Sequence, residues 1–233
     1  MRTLVITGGS KGIGLATAML FSQEGYRIVN VSRSPISLPD AVQHAIDLGD
    51  PGWVTQHGDG LLASVEGSER VVVVHNAGLL AKDNVQALEA GEFHRVLQVN
   101  VVASAQINQV LLPALVPGSA IIYVGSTLSE KAVANSCSYV TSKHAVVGLM
   151  RATCQDLSGR EVHTACVCPG FTETEMLRAH VGNDTEVLRS LAGGVTFGRL
   201  IEPVEIARTI RFCAENPVIN GAVIHANLGQ IER

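Results

Sequence analysis

Tyr139, Val140, Thr141, Ser142 and Lys143 set a phenol and an amine four residues apart, with Ser126 a short way upstream. A free tyrosine, with a pKa of about 10, is a poor acid or base at neutral pH. On a helix, a lysine four residues later lies on the same face, about 6 Å further along the axis. Its charge stabilises the phenolate and draws the tyrosine towards the working range. A serine hydroxyl beside that phenol can hold a carbonyl or alcohol oxygen. The trio reads as a proton-transfer site for carbonyl and alcohol chemistry. Tyr-x-x-x-Lys alone is a weak signal, because exposed helix faces produce it often.

The N-terminal region supplies context. Arg2 to Ile6 is a short apolar run, Thr7-Gly8-Gly9-Ser10-Lys11-Gly12-Ile13-Gly14 follows, and Leu15 to Glu24 is helix-forming. In a strand, glycine turn and helix of this kind, the backbone can approach a pyrophosphate, whose charge rests on free N–H groups at the helix start. The Thr-Gly-x-x-x-Gly-x-Gly spacing differs from the commoner Gly-x-Gly-x-x-Gly. A glycine turn also joins strands to helices without a ligand; the strand before and helix after favour the nucleotide.

Further along come His75-Asn76-Ala77-Gly78 after Val71 to Val74, Asn100, the run Ile121 to Val124 leading to Ser126, and Pro169-Gly170-Phe171-Thr172-Glu173-Thr174 after Ala165 to Cys168. With the glycine turn and Tyr139/Lys143, these resemble the short-chain dehydrogenase/reductase family in its single-domain branch, over nearly the whole chain. His75 departs from it, since many relatives carry a second asparagine there. The resemblance implies a catalytic tetrad. Tyr139 would be the general acid in reduction, Ser126 would polarise the reacting oxygen, and Lys143 would tune Tyr139 and hold the nicotinamide ribose. Asn100 would kink its helix through a bound water and complete a proton relay. It also implies cofactor contacts at Gly8, Ser10, Lys11, Gly12, Ile13 and Gly14, at Asp47 and Leu48 by the adenine, and at Asn76, Ala77 and Gly78. Pro169, Gly170, Thr172 and Thr174 would complete them, with Tyr139 and Lys143.

Cofactor preference follows from charge. An NAD site sets an Asp or Glu about 20 residues beyond the glycines, on the ribose 2′-hydroxyl. Here the second strand ends Val31-Ser32-Arg33, and the first acid after it is Asp40. Arg33 and Lys11 would attract a 2′-phosphate that an acid would repel. NADP(H) is expected over NAD; were both cations merely solvated, NAD would serve.

Strands are expected near 2–7, 27–31, 42–47, 70–75, 119–125, 161–168 and 222–226, and helices near 12–24, 84–113, 138–158 and 203–216. The alternation predicts an α/β fold, a Rossmann-like doubly wound parallel sheet of seven strands with helices on both faces. Ser32 to Ala41 holds two prolines and too few residues for a crossover helix, so the helix between strands two and three should be reduced to a loop that opens one edge of the adenine pocket. Residues 1–233 read as one domain, with a small substrate-covering lobe near 172–199. Gly193-Gly194 is a candidate hinge for that lobe, and a small or medium carbonyl compound, a β-keto ester or acyl thioester, is the expected substrate.

The chain has 233 residues, 46% hydrophobic, and a net charge of −4 with no basic block, which argues against nucleic acid as a partner. No run approaches the ~20 apolar residues of a membrane span, and Met1-Arg2 leads straight into the first strand, without room for a signal peptide. Cys166-Val167-Cys168 lacks Cys-x-x-Cys spacing, so Cys137, Cys154, Cys166, Cys168 and Cys213 read as reduced thiols of a cytoplasmic protein. Cys137, close to Tyr139, could touch substrate. The other histidines show no ligand spacing, and no catalytic metal is expected. Ser126 lacks the flanking glycines of a hydrolase elbow, and too few residues follow Pro169 for the C-terminal substrate domain of an epimerase. A catalytically idle NADP-binding sensor or scaffold is the remaining alternative. The helix around 138–157 is apolar or small on more than one face, which predicts a homodimer or homotetramer.

Overall fold

The computed structural model describes residues 1–182 and 184–231, so position 183 of the expected lobe lies outside the described residues. Strands β1 (Arg2–Thr7), β2 (Arg27–Val31), β3 (Val42–His44), β4 (Arg70–His75), β5 (Ala120–Val124), β6 (His163–Pro169) and β7 (Ala222–Ala226) form one sheet. Its order is β3-β2-β1-β4-β5-β6-β7, and every neighbouring pair is parallel. The winding reverses between β1 and β4, and a doubly wound sheet opens its crevice at such a point, beyond the carboxyl ends of the strands.

Successive residues of a strand point to opposite faces and both faces are covered by helices, which is why the central strands β4 and β5 are almost wholly apolar. Val71 and Val73 of β4 face one core with α2 (Trp53–Ala63), α4 (Ala103–Leu111) and α5 (Cys137–Asp156). Val72 and Val74 face the other, with α1 (Gly12–Gln23) and α8 (Pro203–Glu215). Three short helices complete the set: α3 (Ala90–Leu97), and α6 (Glu175–Val181) and α7 (Thr185–Gly193) of the lobe. Among the described residues, no helix is long and apolar enough to cross a membrane.

Three boundaries depart from expectation. The helix expected over 84–113 begins only at Ala90 and is broken by a π-helical turn, Gln98–Val102, between α3 and α4. The third strand stops at His44, so Asp47 and Leu48 follow it as unpaired chain. Helix α2 goes unpredicted, because Gly58 and Gly60 dilute its pattern; it is held from outside, by burial of Trp53 and Leu61 and by the indole N–H of Trp53 donating to Gln106 Oε1 at 2.8 Å.

The connection from β2 to β3 carries no helix, as its prolines dictate. A side-chain network takes the helix's place. Asn30 Nδ2 donates to Gln43 Oε1 at 2.7 Å and to Ser32 Oγ at 2.9 Å, while Gln43 Nε2 donates to Ser32 O at 3.1 Å. The backbone that presents Arg33 is thereby fixed by β3.

His75, the departure from the family pattern, is buried at the end of β4. Its ring pairs with Asn108 Oδ1 at 2.7 Å, Asn108 Nδ2 donates to Tyr123 OH at 2.6 Å, and Tyr123 OH meets Thr153 Oγ1 at 3.0 Å. This chain ties β4 and β5 to α4 and α5. Burial lowers the His75 pKa from 6.5 to about 4, against the Asn108 hydrogen bond, which raises it. The imidazole is therefore neutral in the fold at neutral pH and takes up its proton more readily unfolded. Its contribution is full above about pH 6.5 and drains away as pH falls to about 4, up to about 3 kcal/mol on the shift alone. His44, His163 and His180 are shifted the same way. The quantity to measure is thus the difference between wild type and His75→Asn in urea unfolding at pH 7 and pH 4.5. The variant should start less stable and lose less on acidification.

Candidate active site

The ends of β1 and β4 are stitched together by side chains reaching backbone. Thr7 Oγ1 accepts from the N–H of Asn76 (2.9 Å) and of Ala77 (2.8 Å), and Asn76 Nδ2 donates to Thr7 O (3.0 Å) and Gly8 O (3.1 Å). Asn30 Oδ1 takes the Gly9 N–H at 2.9 Å. Gly8 and Gly12 have φ of +66° and +51°, a region that favours glycine. At Gly14 the constraint is contact: a Cβ there would stand 2.2 Å from Gly8 O and 2.5 Å from Asn76 Nδ2. No side chain caps the first turn of α1, so its N–H groups stay available.

Above these turns lies a cleft of about 550 Å³. Gly8, Ser10, Lys11, Gly12 and Ile13 line one end, with Arg33, Asp47 and Leu48; Asn76, Ala77 and Gly78 lie along it. Lys11 and Arg33 are exposed and have no ion-pair partner among the described residues. Ser126, Tyr139, Lys143, Pro169, Gly170, Thr172 and Thr174 line the rest. Of the expected site residues, only Gly14 and Asn100 stand behind the wall. Cys137 does not line the cleft either.

Ser126 follows β5 by two residues and caps a short 3₁₀ helix, Thr127–Ser129. Its Oγ accepts from Leu128 N at 3.1 Å, and its own N–H donates to Ser129 Oγ at 3.1 Å. Because the oxygen is used as an acceptor, the hydroxyl hydrogen remains to be given to a ligand. Tyr139 and Lys143 stand one turn apart on α5. Lys143 is buried, its Nζ donates to Val124 O at 2.8 Å, and it lies 5.5 Å from the Tyr139 ring centroid. Among the described residues, only one of its three N–H donors has a protein acceptor.

Asn100 occupies the π turn and holds this group in register. Its Oδ1 accepts from Leu79 N at 2.7 Å, and its Nδ2 donates to Leu79 O at 3.0 Å and to Ser142 Oγ at 2.9 Å. Ser142 Oγ in turn donates to Tyr139 O at 2.7 Å. Both amide hydrogens are thereby spent within the protein.

Several residues of the site carry no local sequence signal. Asp83 accepts from Ser138 N at 3.0 Å with its carboxylate and from Cys137 N at 3.3 Å with its carbonyl, fixing the start of α5. A carboxylate also suits the positive end of a helix. Leu80, Leu128, Val133, Phe171, Met176 and Leu177 give the cleft a largely apolar wall, into which His180 and Gln230 bring polar atoms. Burial first, and the Lys82 charge second, hold the His180 pKa below its ordinary value. Thr174 caps α6 by accepting from Leu177 N at 3.2 Å, and a Cβ on Gly12 would lie 3.1 Å from its methyl, so the lobe packs directly on the glycine turn. Among the described residues, no group of three His, Cys, Asp or Glu is disposed to hold a metal ion. The arrangement can seat a phosphate-bearing ligand at one end and give a proton to a carbonyl oxygen at the other.

Comparison with known proteins agrees with this geometry. The family model for short chain dehydrogenases matches residues 2–184. The chain is 26% identical over 247 residues to the 3-oxoacyl-[acyl-carrier-protein] reductase of Vibrio cholerae, covering 98% of this chain and 96% of that one. It is 31% identical over 226 residues to the enzyme of the same name from Aggregatibacter actinomycetemcomitans, covering 90% of each. Among solved structures, an angucycline C-6 ketoreductase with bound NADP superposes with a TM-score of 0.86 at 28% identity, over 98% of this chain and 95% of the other.

Proposed function

The chain belongs to the short-chain dehydrogenase/reductase family of oxidoreductases, and on that premise we propose that it interconverts a ketone or aldehyde with its alcohol using NADP(H). The observation that carries this reading is the convergence of Ser126, Tyr139 and Lys143 on a cleft whose other end holds an uncapped helix start and two unpaired cations. An idle sensor would need only the second half, and nothing in the relatives supports it.

The residues fit the coenzyme on steric grounds, since the Gly8–Gly14 cradle excludes side chains where a pyrophosphate must approach the backbone. When bound, the coenzyme supplies the hydride. Ser126 gives its free hydroxyl hydrogen to the carbonyl oxygen and polarises it. Tyr139 gives the proton that completes the alcohol, and Lys143, with two donors still open, stabilises the phenolate left behind. Asn100 and Asp83 act through others, fixing the height and entry of α5. The apolar wall and the relatives' names together favour a 3-oxoacyl thioester or ester as substrate. The five unpaired thiols suit a reducing, cytoplasmic setting.

Tyr139→Phe should keep NADPH affinity, read by coenzyme fluorescence, while turnover at 340 nm falls by about 10²–10⁴. Near-wild-type turnover in that variant would end the mechanism.

Arg33→Asp removes one cation and installs the acid of an NAD site, on a strand end that Gln43 keeps rigid. NADPH affinity should weaken by about 1.5–3 kcal/mol, the worth of a charge-assisted pair, and NADH should become the better coenzyme. Unchanged NADPH affinity would show the phosphate is held elsewhere.

Self-association rests on the outward stripe of α5. Val146, Val147 and Met150 are buried in the core, while Thr141, Gly148 and Ala152 are exposed and Ala145 half-buried, a row of small residues flanked by exposed His144 and Arg151 that a second helix can approach. Light scattering at micromolar concentration should give a dimeric or tetrameric mass; a monomer would refute it.

A further inference from the structure

The residues after β7 cross back over the substrate end of the cleft. The crossing starts at Gly170: a Cβ there would stand 3.0 Å from Asn227 Cα, which sets the tail at the end of β6, away from Lys11 and Arg33. Leu228 and Gly229 then take left-handed conformations, with φ of +52° and +67°. From that bend the tail pairs antiparallel with the segment after α7. Thr196 N donates to Gly229 O at 2.9 Å, Ile231 N donates to Gly194 O at 2.9 Å, and Thr196 Oγ1 donates to Leu228 O at 2.9 Å. A side chain at position 229 is excluded, because its Cβ would meet Thr196 Oγ1 at 2.4 Å.

Between those ladder bonds stands Gln230, whose side chain lines the cleft. Its Oε1 is shut off from solvent and has no hydrogen-bond partner among the described residues. Buried side-chain acceptors are nearly always paired, so an orphan on a residue that lines a binding cleft calls for a physical reason.

Resting on the reductase reading above, we infer that Gln230 is a specificity residue, whose side-chain carbonyl accepts a hydrogen bond from an N–H or O–H carried by the substrate away from its reacting carbonyl. The strap fixes the backbone of Gln230 while the terminal amide torsion stays broad, so the amide turns towards an arriving donor at little cost. A site holding a buried polar group rejects an analogue that lacks the matching donor, because the group is then left unpaired. The chemical class is an apolar 3-oxoacyl ester or thioester whose alcohol or thiol arm ends in an amide or a hydroxyl.

Two pairs of 3-oxoacyl thioesters test this with NADPH and the full-length protein. In the first pair an N-acetylcysteamine arm is compared with its O-acetyl counterpart, which lacks only the N–H. In the second a 2-hydroxyethyl arm is compared with a 2-methoxyethyl arm. Wild type should favour the donor-bearing member of one pair by about five- to tenfold in kcat/KM, the range of one neutral hydrogen bond. Discrimination in the first pair identifies an amide-bearing arm, and in the second a hydroxylated one. Gln230→Leu should bring that ratio to about one, since the acceptor that tells the two members apart is gone. Gln230→Glu, which keeps the acceptor, should keep the preference. Because each ratio is internal to one protein, a fall in folded yield does not imitate the result. No discrimination in wild type overturns the inference, as does a ratio untouched by Gln230→Leu. Loss of preference in Gln230→Glu equal to that in Gln230→Leu also overturns it, by assigning the contact to the amide N–H. Failure to turn over any of the four substrates removes the reductase reading itself, and the inference with it.

Discussion

The turns after β1 and β4 lie too close for a side chain at Gly8 or Gly14, and the whole cleft depends on that closeness. The approach is enforced from three sides: the Thr7 hydroxyl takes two successive N–H groups of the β4 turn, the Asn76 amide takes two carbonyls of the β1 turn, and Gly14 presents only hydrogens to Gly8 O. Polar backbone at a buried crossing must be paired. Here Thr7, Asn76 and Asn30 side chains pair backbone groups of both turns, while no side chain caps the start of α1. Binding capacity at this end is therefore a consequence of how the turns are sealed elsewhere.

The end of the cleft that holds Tyr139 obeys a different constraint, the position of one helix. Helix α5 carries Tyr139 and Lys143, and three contacts set where it lies: Asp83 at its first turn, Ser142 through Asn100, and Lys143 to the carbonyl of Val124. Lys143 is the most consequential. A buried ammonium is costly unless hydrogen-bonded, and its single bond runs to the strand that delivers Ser126 two residues later. One interaction thus joins the amine, the phenol a turn away and the hydroxyl at the strand end. The π turn at Asn100 belongs to the same device. A π bulge inserts one residue into an α-helix and is common at functional sites; here it accompanies the inward seating of an amide that clamps Leu79 and Ser142.

The parts legible in the sequence are those whose cause is local. Glycines next to an apolar run announce the β1 turn, two prolines announce the missing helix after β2, and the uninterrupted valines of β4 announce burial on both faces. What escaped reading is held by contacts distant along the chain. Asp83 is one acid in a loop until α5 arrives beside it, Gln43 is an ordinary strand glutamine until it replaces a helix, and α2 owes its existence to Gln106 and the core. Gln230 is the extreme case, placed in the cleft by pairing with the segment after α7 that no periodicity records. The glycines of the cradle were visible, but the reason for Gly14, a 2.2 Å approach to a carbonyl, was visible only in three dimensions.

The same strap changes how the lobe over the cleft is understood. Gly193-Gly194 looked like a hinge because adjacent glycines are permissive. In the fold Gly193 closes α7, Gly194 N donates to Leu191 O at 3.0 Å, and Gly194 O is held by Ile231. The pair is an anchor. The opposite root is held as well, since Glu173 N donates to Ile201 O and Ile201 N to Phe171 O, both at 2.9 Å. Between these fixed ends α6 and α7 bury no residue completely, and segments with little buried surface are the ones that open at low free energy. Gly182, at φ +80° and ψ −174°, ends α6 in a conformation essentially reserved for glycine. Any closure over the substrate thus turns on the two short helices moving between two clamped ends, and the tail that carries Gln230 belongs to the clamp rather than to the moving part.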